Sequence, residues 1–262
     1  MNSTQLYING GWVEGAEQVS LFAPFSGEDL GSIGYANAAQ LDQATQAASA
    51  AFKSYRFTSF HEISEVLGRV KQSLAIQKEK FAQTIAQEAA KPIRLARIEV
   101  DRALHTLSDG IRECGNQRGE TIPMDQVPWG ASKHCIVERV PRGVVVSITP
   151  FNFPLNLVLH KWVPALISRN TVVHKPAPQT PLTSLLLAEL FHEAGIPRGV
   201  LNVVPCSNGL ASQLVEDDRV ALVSFTGSSR VGWMLHQKAT HKEVCLECGG
   251  NGAVIVYADA DI

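Results

Sequence analysis

The sequence predicts an α/β fold built on an open parallel sheet with helices on both faces. Three observations carry that expectation. Apolar, β-branched runs recur in the second half of the chain, at 144–149, 171–175, 199–204 and 221–225. They are nearly continuous rather than alternating, as in strands covered on both faces. Helix-length segments with their own start signals separate them, the pattern of parallel strands joined by crossover helices.

The elements follow in order. Residues 5–35 mix glycine, aromatic residues and turn signals such as Asn9-Gly10-Gly11. Short strands and loops are expected there. From Gln40 to about Cys114 the pattern is helical. Leu41, Ala44, Ala48, Ala51, Phe52 and Tyr55 keep a helical period, and so do Ile63, Val66, Leu67, Val70, Leu74 and Phe81. Pro92 opens a third helix, where a missing N–H costs nothing. Its apolar face carries Ile93, Leu95, Ile98, Leu104, Leu107 and Ile111.

Residues 115–132 return to Gly, Pro and polar types, and 134–140 read as an exposed strand before the apolar run at 144–149. Thr180 is the expected N-cap of the helix after 171–175, with Pro181 at its first position. Further helices are expected near 208–217 and from about Ser228, and the last two strands at 244–247 and 253–256. The length suits one large domain or two small ones, with no repeat, low-complexity segment or flexible linker over 1–262.

Composition narrows the function classes. The 262 residues are 45% hydrophobic and 18% charged, with net charge −2 and pI near 6.4. No global field draws nucleic acid or an acidic membrane. The first residues lack a basic and an apolar leader segment, so no signal peptide is expected. No apolar run approaches the roughly 18 residues that span a bilayer. Five irregularly spaced cysteines suit a reduced, cytoplasmic compartment rather than a disulfide framework.

Ligand sites of parallel sheets lie at the carboxyl ends of the strands, and three segments fall there. In Phe225-Thr226-Gly227-Ser228-Ser229 a strand ends, a glycine turns the chain and serines open a helix. That helix start suits a phosphate, or is simply a capped helix after a tight turn. In Thr149-Pro150-Phe151-Asn152-Phe153-Pro154, prolines and aromatics hold an asparagine past a strand end. Its amide either donates to a developing oxyanion or bonds its own backbone. In Cys245-Leu246-Glu247-Cys248-Gly249-Gly250 the cysteines point to opposite faces, chelate poorly and are expected as small buried hydrophobes. Glu247 is either a buried general base with a raised pKa or an edge carboxylate in a salt bridge.

Taken together and in this order, the segments resemble the N-terminal half of an aldehyde dehydrogenase. The likeness runs from Tyr7-Ile8-Asn9-Gly10 and Pro24-Phe25-Ser26-Gly27-Glu28 almost to Ile262. It includes Asn170-Thr171-Val172-Val173-His174-Lys175-Pro176-Ala177 and Pro197-Arg198-Gly199-Val200-Leu201-Asn202-Val203-Val204. The stretch after Pro150 is most similar to the lactaldehyde and non-phosphorylating glyceraldehyde-phosphate branch.

The resemblance implies a Rossmann-like NAD(P)-binding domain with N-terminal helices and a protruding β-hairpin at about 117–142. In the family that hairpin joins subunits, which implies a homodimer or homotetramer. Asn152 is the implied oxyanion donor and Glu247 the base that activates water. Lys175 is implied to bond the adenosine ribose, and Gly227 and Ser228 to hold the pyrophosphate. Thr149, Pro150, Phe151, Pro178 and Gly249 complete the implied cofactor set. The implied substrate is a small aldehyde, the cofactor NAD or NADP, and no metal, membrane or nucleic acid takes part.

Three departures from the family pattern stand out. Pro178 occupies the place of the acidic residue that bonds the ribose 2′-hydroxyl, so NADP is expected to be tolerated or preferred. Asn251 and Cys248 replace the lysine and leucine of the Glu-Leu-Gly-Gly-Lys motif. The family's nucleophilic cysteine lies farther along the chain, on a separate catalytic domain, whereas this sequence ends fifteen residues after Glu247. None of Cys114, Cys135, Cys206, Cys245 and Cys248 matches it. Two readings follow: the cofactor half of a dehydrogenase, inactive alone, or a short nucleotide-binding or scaffold protein derived from one. Self-association or poor solubility is expected of either.

Overall fold

The computed structural model describes residues 5–261. Residues 1–4, which belong to the segment read for a leader, and Ile262 lie outside them. Two short antiparallel strands open the chain, β1 (Leu6–Ile8) and β2 (Gly11–Val13), followed by a separate hairpin of β3 (Glu17–Phe22) and β4 (Asp29–Tyr35). Four helices come next: α1 (Ala38–Tyr55), α2 (Phe60–Ile76), α3 (Lys78–Ala89) and α4 (Ile93–Cys114). A second small hairpin pairs β5 (Glu120–Ile122) with β6 (Cys135–Val137).

Strands and helices then alternate: β7 (Val144–Ile148), α5 (Asn156–Ile167), β8 (Thr171–Lys175), α6 (Pro181–Glu193), β9 (Leu201–Val203), α7 (Asn208–Glu216), β10 (Val220–Gly227), α8 (Ser229–Lys238) and β11 (Glu243–Cys248). The main sheet has seven strands in the order β11-β10-β7-β8-β9-β1-β2. The five strands from β7 onward run parallel, as their apolar character requires, and β1 joins antiparallel to β9. From β7 the chain steps through β8 to β9 on one side, then returns to lay β10 and β11 on the other. The reversal opens a crevice between the carboxyl ends of β7 and β10, where ligands bind in such sheets.

Strand alternation divides the interior. Val145, Val172 and Leu201 face one core with α2, α3, α4, α5 and α6, where Trp162, Phe81 and Phe191 are fully buried. Val144, Val146, Ile148 and Val173 face the other core with α1, α7 and α8. The expected α/β class with helices on both faces is therefore the observed one.

Several expectations are corrected. The helix expected over Ile63 to Phe81 is two, broken at Gln77 (φ −94°, ψ 16°). Leu74 and Phe81 are two helical turns apart, so the apolar period runs through the break unchanged. Residues 253–256 form no strand, and Val254 and Ile255 are 83% and 82% exposed. β11 is the sheet edge, and no adjacent strand gives them a ladder. Thr180 holds the N-cap position of α6 but makes no capping bond. Instead Glu88 of α3 accepts from the Leu182 and Thr183 N–H groups at 2.8 and 3.0 Å, and from the Thr183 hydroxyl.

Candidate active site

The crevice holds a cavity of about 330 Å³. Thr149, Pro150 and Phe151 enter it from the end of β7, Lys175, Pro178 and Gln179 from the end of β8, and Phe225, Thr226 and Gly227 from the end of β10. Asn208 of α7 and Met234 of α8 close the far side. Six of the eight expected cofactor residues thus meet on one cavity, though they span 79 positions of sequence from Thr149 to Gly227. A cavity of about 360 Å³ lined by Tyr55, His61, Arg69 and Ile196 lies elsewhere. None of the expected site residues lines it.

Local chemistry explains the arrangement. A buried chain of polar contacts holds β7, β8 and α6 together, with Ser147 Oγ 2.9 Å from His174 Nδ1 and His174 Nε2 3.3 Å from Ser184 Oγ. Burial pushes the His174 pKa down to about 3, so the ring is a neutral strut. Lys175 Nζ donates to Asn208 Oδ1 at 2.7 Å, and its desolvation lowers the pKa of the ammonium. At Gly227 a Cβ would sit 2.5 Å from the Phe225 ring, so a side chain would displace the cavity wall. Ser228 caps α8 by accepting from the Val231 N–H at 3.4 Å. The first N–H groups of α8 keep no intrahelical acceptor. Lysine, amide, glycine turn and helix start match what an anionic dinucleotide needs, so the residues fit NAD(P).

Glu247 and Gly249 do not line this cavity. In the ladder Glu247 pairs with Thr226 and Cys245 with Ser224. Ser224 accepts from Lys161 Nζ of α5 at 3.0 Å, so Cys245 and Glu247 share the α5 face of the sheet. The cavity opens beside α7 and α8, on the other face. Glu247 is exposed, which overturns the buried-carboxylate alternative and leaves it at the sheet edge. Cys245 and Cys248 are exposed too, not buried hydrophobes. An edge strand is covered on one side only, here by α8 packing on Val244 and Leu246. The opposite facing of the two cysteines is as expected, and Cys248 packs on α8 where a Cβ at Gly232 would lie 2.8 Å from its sulfur.

Asn152 is exposed at the turn between β7 and α5, beside the cavity wall, and its carbonyl accepts from Lys91 Nζ at 2.5 Å. Sequence reasoning missed two lysines here. Lys161 is buried, and desolvation pushes its pKa down to about 8 against the raising effect of Cys245 and Glu247. Its position inside an apolar helix, Leu157-Val158-Leu159-His160-Lys161-Trp162, was the available signal. Lys91 had none, because the turn it reaches, at the Asn152 carbonyl, lies 61 residues away in sequence.

Comparisons with known proteins bear on this geometry. The model of the family described as "Aldehyde dehydrogenase family" matches residues 12–262. A 3-sulfolactaldehyde dehydrogenase of Priestia aryabhattai is 39% identical over 98% of this chain and 54% of its own length. A lactaldehyde dehydrogenase of Methanococcus maripaludis is 32% identical over 98% of the chain and 55% of its own. The crystal structure of an NADP-dependent glyceraldehyde-3-phosphate dehydrogenase from Bacillus halodurans, complexed with NADP, superposes with TM-score 0.91 at 37% identity. That likeness covers 94% of this chain and 53% of the other. The chain spans about half the length of the relatives it matches.

Proposed function

The chain belongs to the aldehyde dehydrogenase family, and from that premise we propose that it supplies the NAD(P)-binding half of an enzyme that oxidises a small aldehyde. The reaction consumes aldehyde, water and NAD(P)⁺, and yields carboxylate, NAD(P)H and two protons. The observation that carries the reading is the single cavity shared by Thr149, Pro150, Phe151, Lys175, Pro178 and Gly227 at the sheet's reversal point.

Each residue has a role in this reading. Lys175 and Asn208 bond the adenosine ribose, and Gly227 with the start of α8 lets the pyrophosphate approach backbone N–H groups. Ser228 fixes that helix start through its cap. Gly249, with open space around it, gives backbone room beside the base. When bound, the nicotinamide supplies a hydride acceptor. The Asn152 amide donates to the substrate oxygen as negative charge develops on it. Glu247 takes a proton from the attacking water. The attacking thiol is none of this chain's five cysteines: Cys114 and Cys206 are buried, Cys135 is in the β5–β6 hairpin, and none lines the cavity. The isolated chain therefore binds cofactor and does not turn over.

NADP is the preferred form. Pro178 and Gln179 line the cavity beside Lys175, and no carboxylate does. A 2′-phosphate meets a cation there and no like charge. Lys175→Met tests the assignment. The variant is expected to bind NADP about tenfold more weakly, the loss of one charge-assisted bond, by NADPH fluorescence titration. Unchanged affinity would place the cofactor elsewhere.

A further inference from the structure

We propose that Lys91 and Glu99 form a latch that positions the turn bearing Asn152 and, with it, the Thr149–Phe151 wall of the cofactor cavity. The inference rests on the cofactor site described above, but its geometry is independent of it. α3 ends at Ala90, which adopts a left-handed conformation (φ 49°) unfavourable for a residue with a Cβ. That reversal brings Lys91 over the turn after β7. Its ammonium donates to Glu99 Oε2 at 2.5 Å and to the Asn152 carbonyl at 2.5 Å, and sits 3.9 Å from the centre of the Phe153 ring. The Lys91 side chain is 12% exposed and that of Glu99 fully buried.

The other Glu99 oxygen, Oε1, accepts from the Leu155 and Asn156 N–H groups at 3.0 and 3.2 Å. α5 has no side-chain cap of its own, so this borrowed carboxylate serves as one and sits at the positive end of the helix dipole. One ion pair therefore holds residues 152, 153, 155 and 156, on the far side of Pro150 and Phe151 from β7. A buried charge pair fixed by several further hydrogen bonds specifies one geometry, and removing either partner leaves an uncompensated charge. Lys91 and Glu99 do not line the cavity. They are positioning residues that act through the turn.

The test is hydrogen exchange of the Leu155 and Asn156 amides, with NADP affinity as a second readout, on the 262-residue chain. Lys91→Met is expected to speed exchange of both amides about tenfold and weaken NADP binding about fivefold. Lys91→Arg, which keeps a cation with several donors, is expected to stay within about twofold of the parent. Lys78→Met is the control. It removes the Lys78–Asp101 pair, which ties α3 to α4, without touching the turn, and should move neither readout. Equal effects of Lys78→Met and Lys91→Met, or none from Lys91→Met, would overturn the latch. If Lys91→Met does not fold, Phe153→Leu carries the test, with an expected gain of about threefold in exchange; no gain overturns it. A parent chain that binds no NADP contradicts the function proposed above, while amide exchange still decides the latch.

Discussion

Glu88 stands where a threonine hydroxyl was expected to cap a helix, and its burial has a consequence for stability. Desolvation pushes its pKa up to about 8, against the lowering effect of Thr183 and Leu182. The unfolded carboxyl titrates near about 4.3. Between those values the folded chain holds the extra proton, so this group's contribution is full at low pH and lost as pH rises toward 8. Glu88→Gln mimics the protonated acid and escapes that slope. Its stability relative to the parent should rise by on the order of 2 kcal/mol between about pH 6 and about pH 8, in paired thermal melts. Parallel curves would contradict the assignment. The cysteines give a second check at this scale. Cys245 and Cys248 are exposed, Cys114 and Cys206 are buried, and burial pushes the Cys206 thiol up to about 11. Thiolate is the reactive form. A disulfide-exchange reagent should therefore label the exposed pair rapidly, Cys135 more slowly, and the buried pair only in denaturant. Rapid labelling of all five in the native chain would refute this burial pattern. Placement at the cavity was legible for Lys175 and Gly227, because both stand at a strand end. The placement of Glu88, Glu99 and Lys91 was not legible, because the backbone groups they bind, at 182–183, 155–156 and 152, lie dozens of residues away.

At the scale of elements, the apolar runs revealed β7, β8, β9 and β10 because a strand buried on both faces has almost no polar positions. They misled at 253–256, where apolar character exists without a neighbour to pair with. Periodicity found the helices but not the break at Gln77, since two turns of helix restore the phase. The exposed strand at β6 was legible after a return to turn residues, whereas its pairing into a hairpin with β5 was expected only from the family resemblance. The two strands of the hairpin pair only with each other among the described residues, and Trp129 and Ile136 are 73% and 70% exposed. Unpaired strand edges with apolar side chains invite pairing between chains. We propose that the hairpin joins copies of this chain. Ile136→Lys should shift the sedimentation distribution toward monomer. An unchanged distribution, or a parent that is monomeric at high concentration, would remove the hairpin from that role.

For the whole molecule, sequence order indicated the strands and not the reversal of the sheet, which only the strand pairing shows. The crevice exists because β10 returns to pair with β7 after β9 has been laid on the opposite side. That long-range pairing gathers Thr149, Lys175 and Gly227, and it sets Glu247 on the other face of the sheet edge. The sequence motifs named these residues; only the register shows that this cavity and the Glu247–Lys161 cluster lie on opposite sides of β10. The isolated chain should give no NADPH from aldehyde and NADP, because no cysteine stands at the cavity. Turnover by the chain alone would mean that one of its own thiols attacks.

The most direct test is a calorimetric titration of the purified chain with NAD and with NADP. One site per chain is expected, with NADP bound more tightly than NAD. Absence of heat with either nucleotide at millimolar concentration, or clear selectivity for NAD, would contradict it.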